Sequence, residues 1–266
     1  MVRHYTRART LVRVAGLPAF LDHPMPLAFA HRGGGSEAIE NSWAAFEHAV
    51  SLGYSYLETD VRATSDGVPV AFHDRSLERL TGSPGLLSDT TSQALGHALL
   101  ADGSSVPRLE DLLTAWPELR WNIDVKSPGA TGPVIEALRR TNAGPRVLVT
   151  AFSARRVARL RRALGPAVAT GASALGVAGL LLARRAHLTP TWAMCSAAQV
   201  PVNFRGQTVV DAGFVKTCHS AGIQVHVWTV DDPIEMARLL DLGVDGLMTD
   251  RPSALRELLV ERGQWT

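Results

Sequence analysis

Tyr56-Leu57-Glu58-Thr59-Asp60-Val61 is the stretch from which the architecture can be read. In an extended strand, side chains alternate between two faces. Leu57, Thr59 and Val61 therefore share one face, and Tyr56, Glu58 and Asp60 share the other. Both carboxylates point the same way. In a closed barrel the apolar face meets surrounding helices and the acidic face enters the interior. Trp121-Asn122-Ile123-Asp124-Val125-Lys126 repeats the pattern, with Asn122, Asp124 and Lys126 on one face. Gln224, His226 and Trp228 form a third polar face.

Outward from these strands, β-type runs alternate with amphipathic segments. Expected strands are 27–30, 55–61, 68–72, 121–125, 147–151, 167–170, 199–202, 224–228 and 246–248. Expected helices include 43–52, 109–116, 132–141, 154–164, 209–221 and 233–242. Strands spaced by helices imply βα units and a parallel sheet. Eight such units, with 68–72 as an extension after the second, fit a (β/α)₈ barrel, which needs about 250 residues. The chain has 266. Residues 75–107 break the rhythm and read as a small insertion after the second barrel strand. Residues 1–25 read as an N-terminal extension, and 26–266 as a single barrel domain. No strand–GxGxxG–helix opening supports a dinucleotide fold.

The bulk properties narrow the function. Hydrophobic residues at 46% allow a sizeable core, and a formal net charge of +2 gives no general attraction for polyanions. The densest basic run, Arg155-Arg156…Arg159…Arg161-Arg162, has helical spacing and reads as a solvated helix face, so no nucleic-acid partner is expected. Cys195 and Cys218 form no disulfide framework and suggest a reducing compartment. Arg13 interrupts the best apolar stretch near the N-terminus, so a secretory signal is not expected. Residues 168–183 are weakly polar but shorter than the roughly 20 residues a membrane span needs. They read as a buried strand followed by a helix. A cytoplasmic protein without a transmembrane segment is the expectation.

Two carboxylates sharing a buried face are costly without a partner, and a divalent cation removes that cost. Oxygen donors favour Mg²⁺ or Ca²⁺, with Asp124 as a third acidic candidate. His31-Arg32-Gly33-Gly34-Gly35 follows the first strand. Its glycines admit backbone N–H groups to an anion, and Arg32 offers a planar fork for phosphate. His73 ends the extension strand. Two histidines near neutral pH supply acid and base, and with the cations they match phosphoester chemistry. Asp74 reads as a turn or cap residue. Asn41 reads equally as the N-cap of the 43–52 helix or as part of the site.

Ala30-His31-Arg32-Gly33…Glu40-Asn41-Ser42…Leu57-Glu58-Thr59-Asp60-Val61…His73-Asp74…Arg79 closely resembles the glycerophosphodiester phosphodiesterases. The likeness continues through Ile123-Asp124-Val125-Lys126, Val227-Trp228-Thr229-Val230 and Gly243 to Pro252, covering about residues 27 to 256. It implies a (β/α)₈ barrel enzyme that cleaves glycerophosphodiesters to glycerol phosphate and an alcohol. It implies one Mg²⁺ or Ca²⁺ on Glu58, Asp60 and Asp124, and His31 with His73 as the acid/base pair. Arg32 and Lys126 match phosphate-binding cations, and Trp228 an aromatic at the pocket mouth. Glu40 and Asn41 match an element beside the metal region. Asp124 stands where many members carry Glu. Together with Lys126 it resembles the subset acting on lysophospholipids, the alternative substrate. A catalytically inactive barrel that binds phosphorylated ligands is the third reading, and it would call for loss of a histidine or acidic ligand.

Overall fold

The computed structural model describes residues 18–266. In chain order the strands are β1 (Leu27–Ala30), β2 (Tyr56–Ala63), β3 (Pro69–Ala71), β4 (Arg120–Val125), β5 (Val147–Thr150) and β6 (Ala169–Thr170), then β7 (Ala197–Pro201), β8 (Asn203–Phe204), β9 (Gln207–Thr208), β10 (Gln224–Trp228) and β11 (Gly246–Thr249). The helices are α1 (Trp43–Ser51), α2 (Glu78–Thr81), α3 (Ser92–Leu95), α4 (Leu109–Ala115) and α5 (Thr131–Arg140), then α6 (Ala154–Leu164), α7 (Ala174–Arg185), α8 (Ala212–Ser220), α9 (Pro233–Leu242) and α10 (Pro252–Glu261).

Eight strands run parallel in the order β6-β5-β4-β2-β1-β11-β10-β7, and a bridge between Gly171 and Ala197 brings the two ends together. This is the expected (β/α)₈ barrel. Helices pack outside on the apolar strand faces: Leu57, Val61, Trp121, Ile123 and Val125 join one outer core cluster, and Val200, Val225 and Val227 another. Residues 75–107 contain α2, α3 and a 3₁₀ turn at Leu87–Asp89, gathered round a small core of their own with Phe72, Leu77, Leu87 and Leu95.

Two local differences from the sequence reading follow from turn and cap chemistry. The expected 209–221 helix begins only at Ala212, because Asp211 caps it by accepting from Phe214 N–H at 2.8 Å. The residues before it form an unexpected β8–β9 hairpin, with Arg205 (φ 49°) and Gly206 (φ 77°) in the left-handed conformation at its tip. Most of the expected N-terminal extension lies outside the described residues. Its visible end, Ala19–Leu21, is a 3₁₀ turn whose Phe20 is fully buried against Phe29 and Tyr56.

The barrel interior below the carboxylates is a closed polar layer. Gln199 donates its amide to Asn122 Oδ1 (2.9 Å) and His226 Nδ1 (3.3 Å), and His226 Nε2 donates to Gln224 Oε1 (2.9 Å). His226 is fully buried and satisfied in the core. Burial pushes its pKa down to about 4. The unfolded chain takes the proton near pH 6.5, so between these values only the unfolded state is protonated. Stability is then full above about pH 6.5 and falls as the pH drops, by about 3 kcal/mol at pH 4. Thermal unfolding of wild type and His226→Gln from pH 7.5 to 4 is expected to show this component in wild type only. Equal pH slopes would contradict it.

Candidate active site

The candidate residues come from β2, β4 and β10 and from the turns after β1, β3 and β4. His31, Arg32, Glu58, Asp60, His73, Asp124, Lys126 and Trp228 all line one cavity of about 410 Å³. β2 and β4 are in register, with Glu58 opposite Asn122 and Asp60 opposite Asp124. This pairing stacks the acidic faces as alternation predicts. His73 arrives by a different route. β3 folds back antiparallel on the end of β2, and Phe72 N–H donates to the Asp60 carbonyl at 2.8 Å. The extension strand thus returns His73 to the rim beside Asp60.

The carboxylates are neutralised chiefly by side chains. Lys126 Nζ lies 2.6 Å from both Asp60 Oδ1 and Asp124 Oδ2. Arg32 takes the left-handed conformation (φ 53°). Its backbone N–H donates to Glu58 Oε2 at 3.0 Å, and its Nη1 to Glu40 Oε1 at 3.1 Å. Arg32 Nε is 2.7 Å from Asp60 Oδ2, yet the N–H points poorly and neither atom makes a proper hydrogen bond. Burial and the neighbouring Asp60 push Glu58 up to about 7. Burial also tends to raise Asp60, but Lys126 and Arg32 outweigh it and hold that carboxyl below its ordinary value. For Asp124, burial wins over Lys126 and the pKa is raised.

This donor set suits a hard cation. Glu58, Asp60 and Asp124 offer only oxygen, buried Asp60 Oδ2 and Asp124 Oδ1 make no hydrogen bond, and the positive charge present leaves Glu58 incompletely ionised at neutral pH. Among the described residues no three His, Cys, Asp or Glu side chains are gathered as a ready cage, because Lys126 stands between Asp60 and Asp124.

Each rim histidine is oriented by a carboxylate. His31 Nδ1 lies 2.7 Å from Asp250 Oδ1, and His73 Nδ1 lies 2.7 Å from Asp74 Oδ1. With Nδ1–H donated, Nε2 of each ring is left for proton transfer. Burial alone would depress His31, but Glu58 and Asp250 together raise it above its ordinary value. The Arg79 hydrogen bond holds Asp74 at about 2, against the penalty of partial burial. Asp74 is thus the partner of His73 rather than a turn residue.

Ser42, not Asn41, caps α1, accepting from Ala45 N–H at 3.1 Å. Asn41 instead accepts from the Thr59 hydroxyl (2.8 Å) and Asp60 N–H (3.4 Å), behind the carboxylate strand. Glu40 bonds both Arg32 and Arg79 outside the cavity wall. Gly33 and Gly34 serve packing: a Cβ on Gly33 would come within 2.7 Å of Ala45 Cβ, and one on Gly34 within 2.6 Å of Pro252. Asp250 and Arg79, which no local sequence pattern singles out, complete the site by holding His31 and Asp74. Asp250's position after the last barrel strand, where such folds place functional groups, is the signal that finds it.

The comparisons agree with this geometry. A model of the glycerophosphoryl diester phosphodiesterase family matches residues 31–254. The chain belongs to that family. A relative in Mycobacterium tuberculosis named "Probable glycerophosphodiester phosphodiesterase 2" is 43% identical over 92% of this chain and 95% of its own. A Rattus norvegicus protein named lysophospholipase D is 26% identical over 86% of this chain and 85% of its own. In fold, the chain resembles a glycerophosphodiester phosphodiesterase from Agrobacterium tumefaciens (TM-score 0.73, 23% identity, 89% and 100% covered). It also resembles an Oleispira antarctica phosphodiesterase solved with sn-glycerol-3-phosphate (TM-score 0.74, 23% identity, 89% and 97% covered).

If the carboxylates orient the imidazoles, Asp250→Asn and Asp74→Asn each lower kcat on a phosphodiester by about tenfold or more, with little change in melting temperature. Unchanged kcat in both would show that orientation is not their role.

Proposed function

We propose that this protein hydrolyses glycerophosphodiesters to glycerol phosphate and an alcohol, with His31 and His73 moving the protons. The observation that carries this is two imidazoles, each held at Nδ1 by a carboxylate, at the rim of one cavity with Arg32 and Lys126. Arg32 and Lys126 bind the phosphodiester anion. Among the described residues Arg32 Nη2 has no hydrogen-bond partner, which leaves that edge for a phosphoryl oxygen. His73 takes the proton from the attacking oxygen as its bond to phosphorus forms. His31, held toward its charged form by Glu58 and Asp250, delivers its proton to the alcohol oxygen as that P–O bond breaks. Attack by water gives glycerol phosphate directly, and attack by the neighbouring glycerol hydroxyl gives a cyclic phosphate first.

Glu58, Asp60 and Asp124 would hold one Mg²⁺ or Ca²⁺, which supplies positive charge to the phosphoryl oxygens. Trp228 closes the mouth, its ring 6.1 Å from that of Phe152. Glu40 and Asn41 brace Arg32 and Asp60 from behind. Two free cysteines support a reducing, cytoplasmic setting. Among the described residues no helix is long and apolar enough to cross a membrane.

A second reading, hydrolysis of lysophospholipids, is favoured by one feature. Beyond the polar end the cavity is walled by Phe152, Val177, Leu181, Phe204 and Val209, a lining suited to an acyl chain. The relative named lysophospholipase D supports the same reading. Parallel assays on glycerophosphocholine and a lysophosphatidylcholine, each with Mg²⁺, Ca²⁺ and chelator, separate the two.

His31→Ala and His73→Ala are each expected to lower kcat by about 10²-fold or more with KM little changed. Rates within threefold of wild type would contradict the acid/base scheme. Calorimetric titration of Mg²⁺ and Ca²⁺ into chelator-treated protein is expected to give one-site binding that Asp60→Asn abolishes. Full activity in chelator with no binding heat would remove the metal from the proposal.

A further inference from the structure

Residues 137–210 contain eleven arginines and not one Asp, Glu or Lys. The whole chain has 27 basic and 25 acidic side chains, so the remainder carries 16 basic against 25 acidic. The net charge of +2 is thus the balance of a +11 stretch and a −9 remainder.

Several of these arginines are occupied. Arg139, Arg140 and Arg184 pair with Glu136, Glu110 and Asp211. Arg146 and Arg156 donate to backbone carbonyls, and Arg161 to Thr170. Arg155, Arg159, Arg162, Arg185 and Arg205 are exposed, and among the described residues none makes an ion pair or hydrogen bond. Of the basic run on α6, Arg155, Arg159 and Arg162 form the solvated face, while Arg156 and Arg161 are half-buried and bonded.

Bulky apolar side chains are exposed in the same stretch. Of twelve large hydrophobic residues exposed among the described ones, seven fall within 152–204. The segment 168–183 is a buried strand and a helix, as its composition suggests, yet the helix is not buried. One stripe of α7, with Val177 and Leu181, faces the cavity. The adjoining stripe shows Leu175 (74% exposed) and Leu182 (63%) to solvent. Gly179 lies between them, with the exposed Trp192 indole filling its gap. Phe152 (61%) and Phe204 (60%) line the cavity and are also exposed, so this face begins at the cavity rim.

We infer that α7, the loop after β5 and the β8–β9 hairpin form a docking face for an anionic lipid bilayer. Arginines beside exposed Leu, Phe and Trp match an interface with anionic headgroups over hydrocarbon. A nucleic-acid surface would use the arginines and leave the aliphatic side chains unpaid for. The face is continuous with the cavity mouth, so a docked protein would open its site toward the lipid.

Flotation of the full chain with vesicles tests this without turnover, and so independently of the hydrolase reading. One part phosphatidylglycerol in two parts phosphatidylcholine is compared with phosphatidylcholine alone. Binding at least tenfold tighter to the anionic vesicles is expected. Each arginine near the surface is worth about fivefold, so Arg155→Ala with Arg205→Ala should weaken binding about thirtyfold. Leu175→Ser with Leu182→Ser should weaken it at least tenfold. Both double variants should keep wild-type rates on a water-soluble diester, showing that they fold. Equal binding to the two vesicle types, or no loss in either folded variant, would overturn the inference. So would displacement from vesicles by duplex DNA at matched charge, which would mark a general polyanion site.

Discussion

Lys126 holds two buried carboxylates at once, and the rest of the centre is arranged around that double ion pair. Asp60 and Asp124 sit side by side on neighbouring strands, 1% and 7% exposed, where two uncompensated charges would be very costly. Lys126 follows Asp124 by two residues, so strand alternation delivers the cation to the face that carries the anions. Glu58, one alternation deeper on β2, receives less of that charge and is pushed up to about 7. Arg32 offsets part of the deficit only because its left-handed backbone turns both its N–H and its guanidinium toward β2.

Arg79 extends this network out of the barrel. It comes from α2, a four-residue helix too short to be stable alone. Its Nε contacts Asp74 at 2.5 Å, and its two Nη atoms grip Glu40 at 3.1 and 2.7 Å. The chain Arg32–Glu40–Arg79–Asp74–His73 therefore ties the loop after β1 to the loop after β3. A shift of the insertion would move an anion-facing arginine and a histidine together. Arg79 is half exposed, so its value lies in geometry more than in stability.

The parts legible in the sequence are those governed by short periods. Alternation placed Glu58, Asp60, Asp124 and Lys126 on interior faces, and the spacing of strands and helices gave the eight-unit barrel. His31, Arg32 and His73 were legible as polar groups at strand ends. Less visible were the pairings that only the closed ring creates. Asp250 meets His31 across 219 residues of chain, because β11 closes beside β1. Whether Asn41 caps α1 or serves the site was open in the sequence, since Asn41 and Ser42 both suit an N-cap and the backbone gives that place to Ser42. The β8–β9 hairpin has no periodic signal in the sequence, because its strands are two residues long.

Net charge shows the same loss of information in another form. A value of +2 describes neither part of the molecule, because all the acidic residues lie outside 137–210, in the stretches that include the polar centre. The fold does not require this separation. Arg155, Arg159, Arg162, Arg185 and Arg205 hold nothing in place among the described residues, and surface charge of this kind contributes little to stability. Nor does the core require Leu175 or Leu182, which are exposed on α7 while Leu180 and Ala183 of the same helix are buried. A surface that carries unneutralised cations beside bulky apolar groups, and serves neither packing nor the polar centre, is best explained by something outside the chain with the opposite charge and an apolar interior.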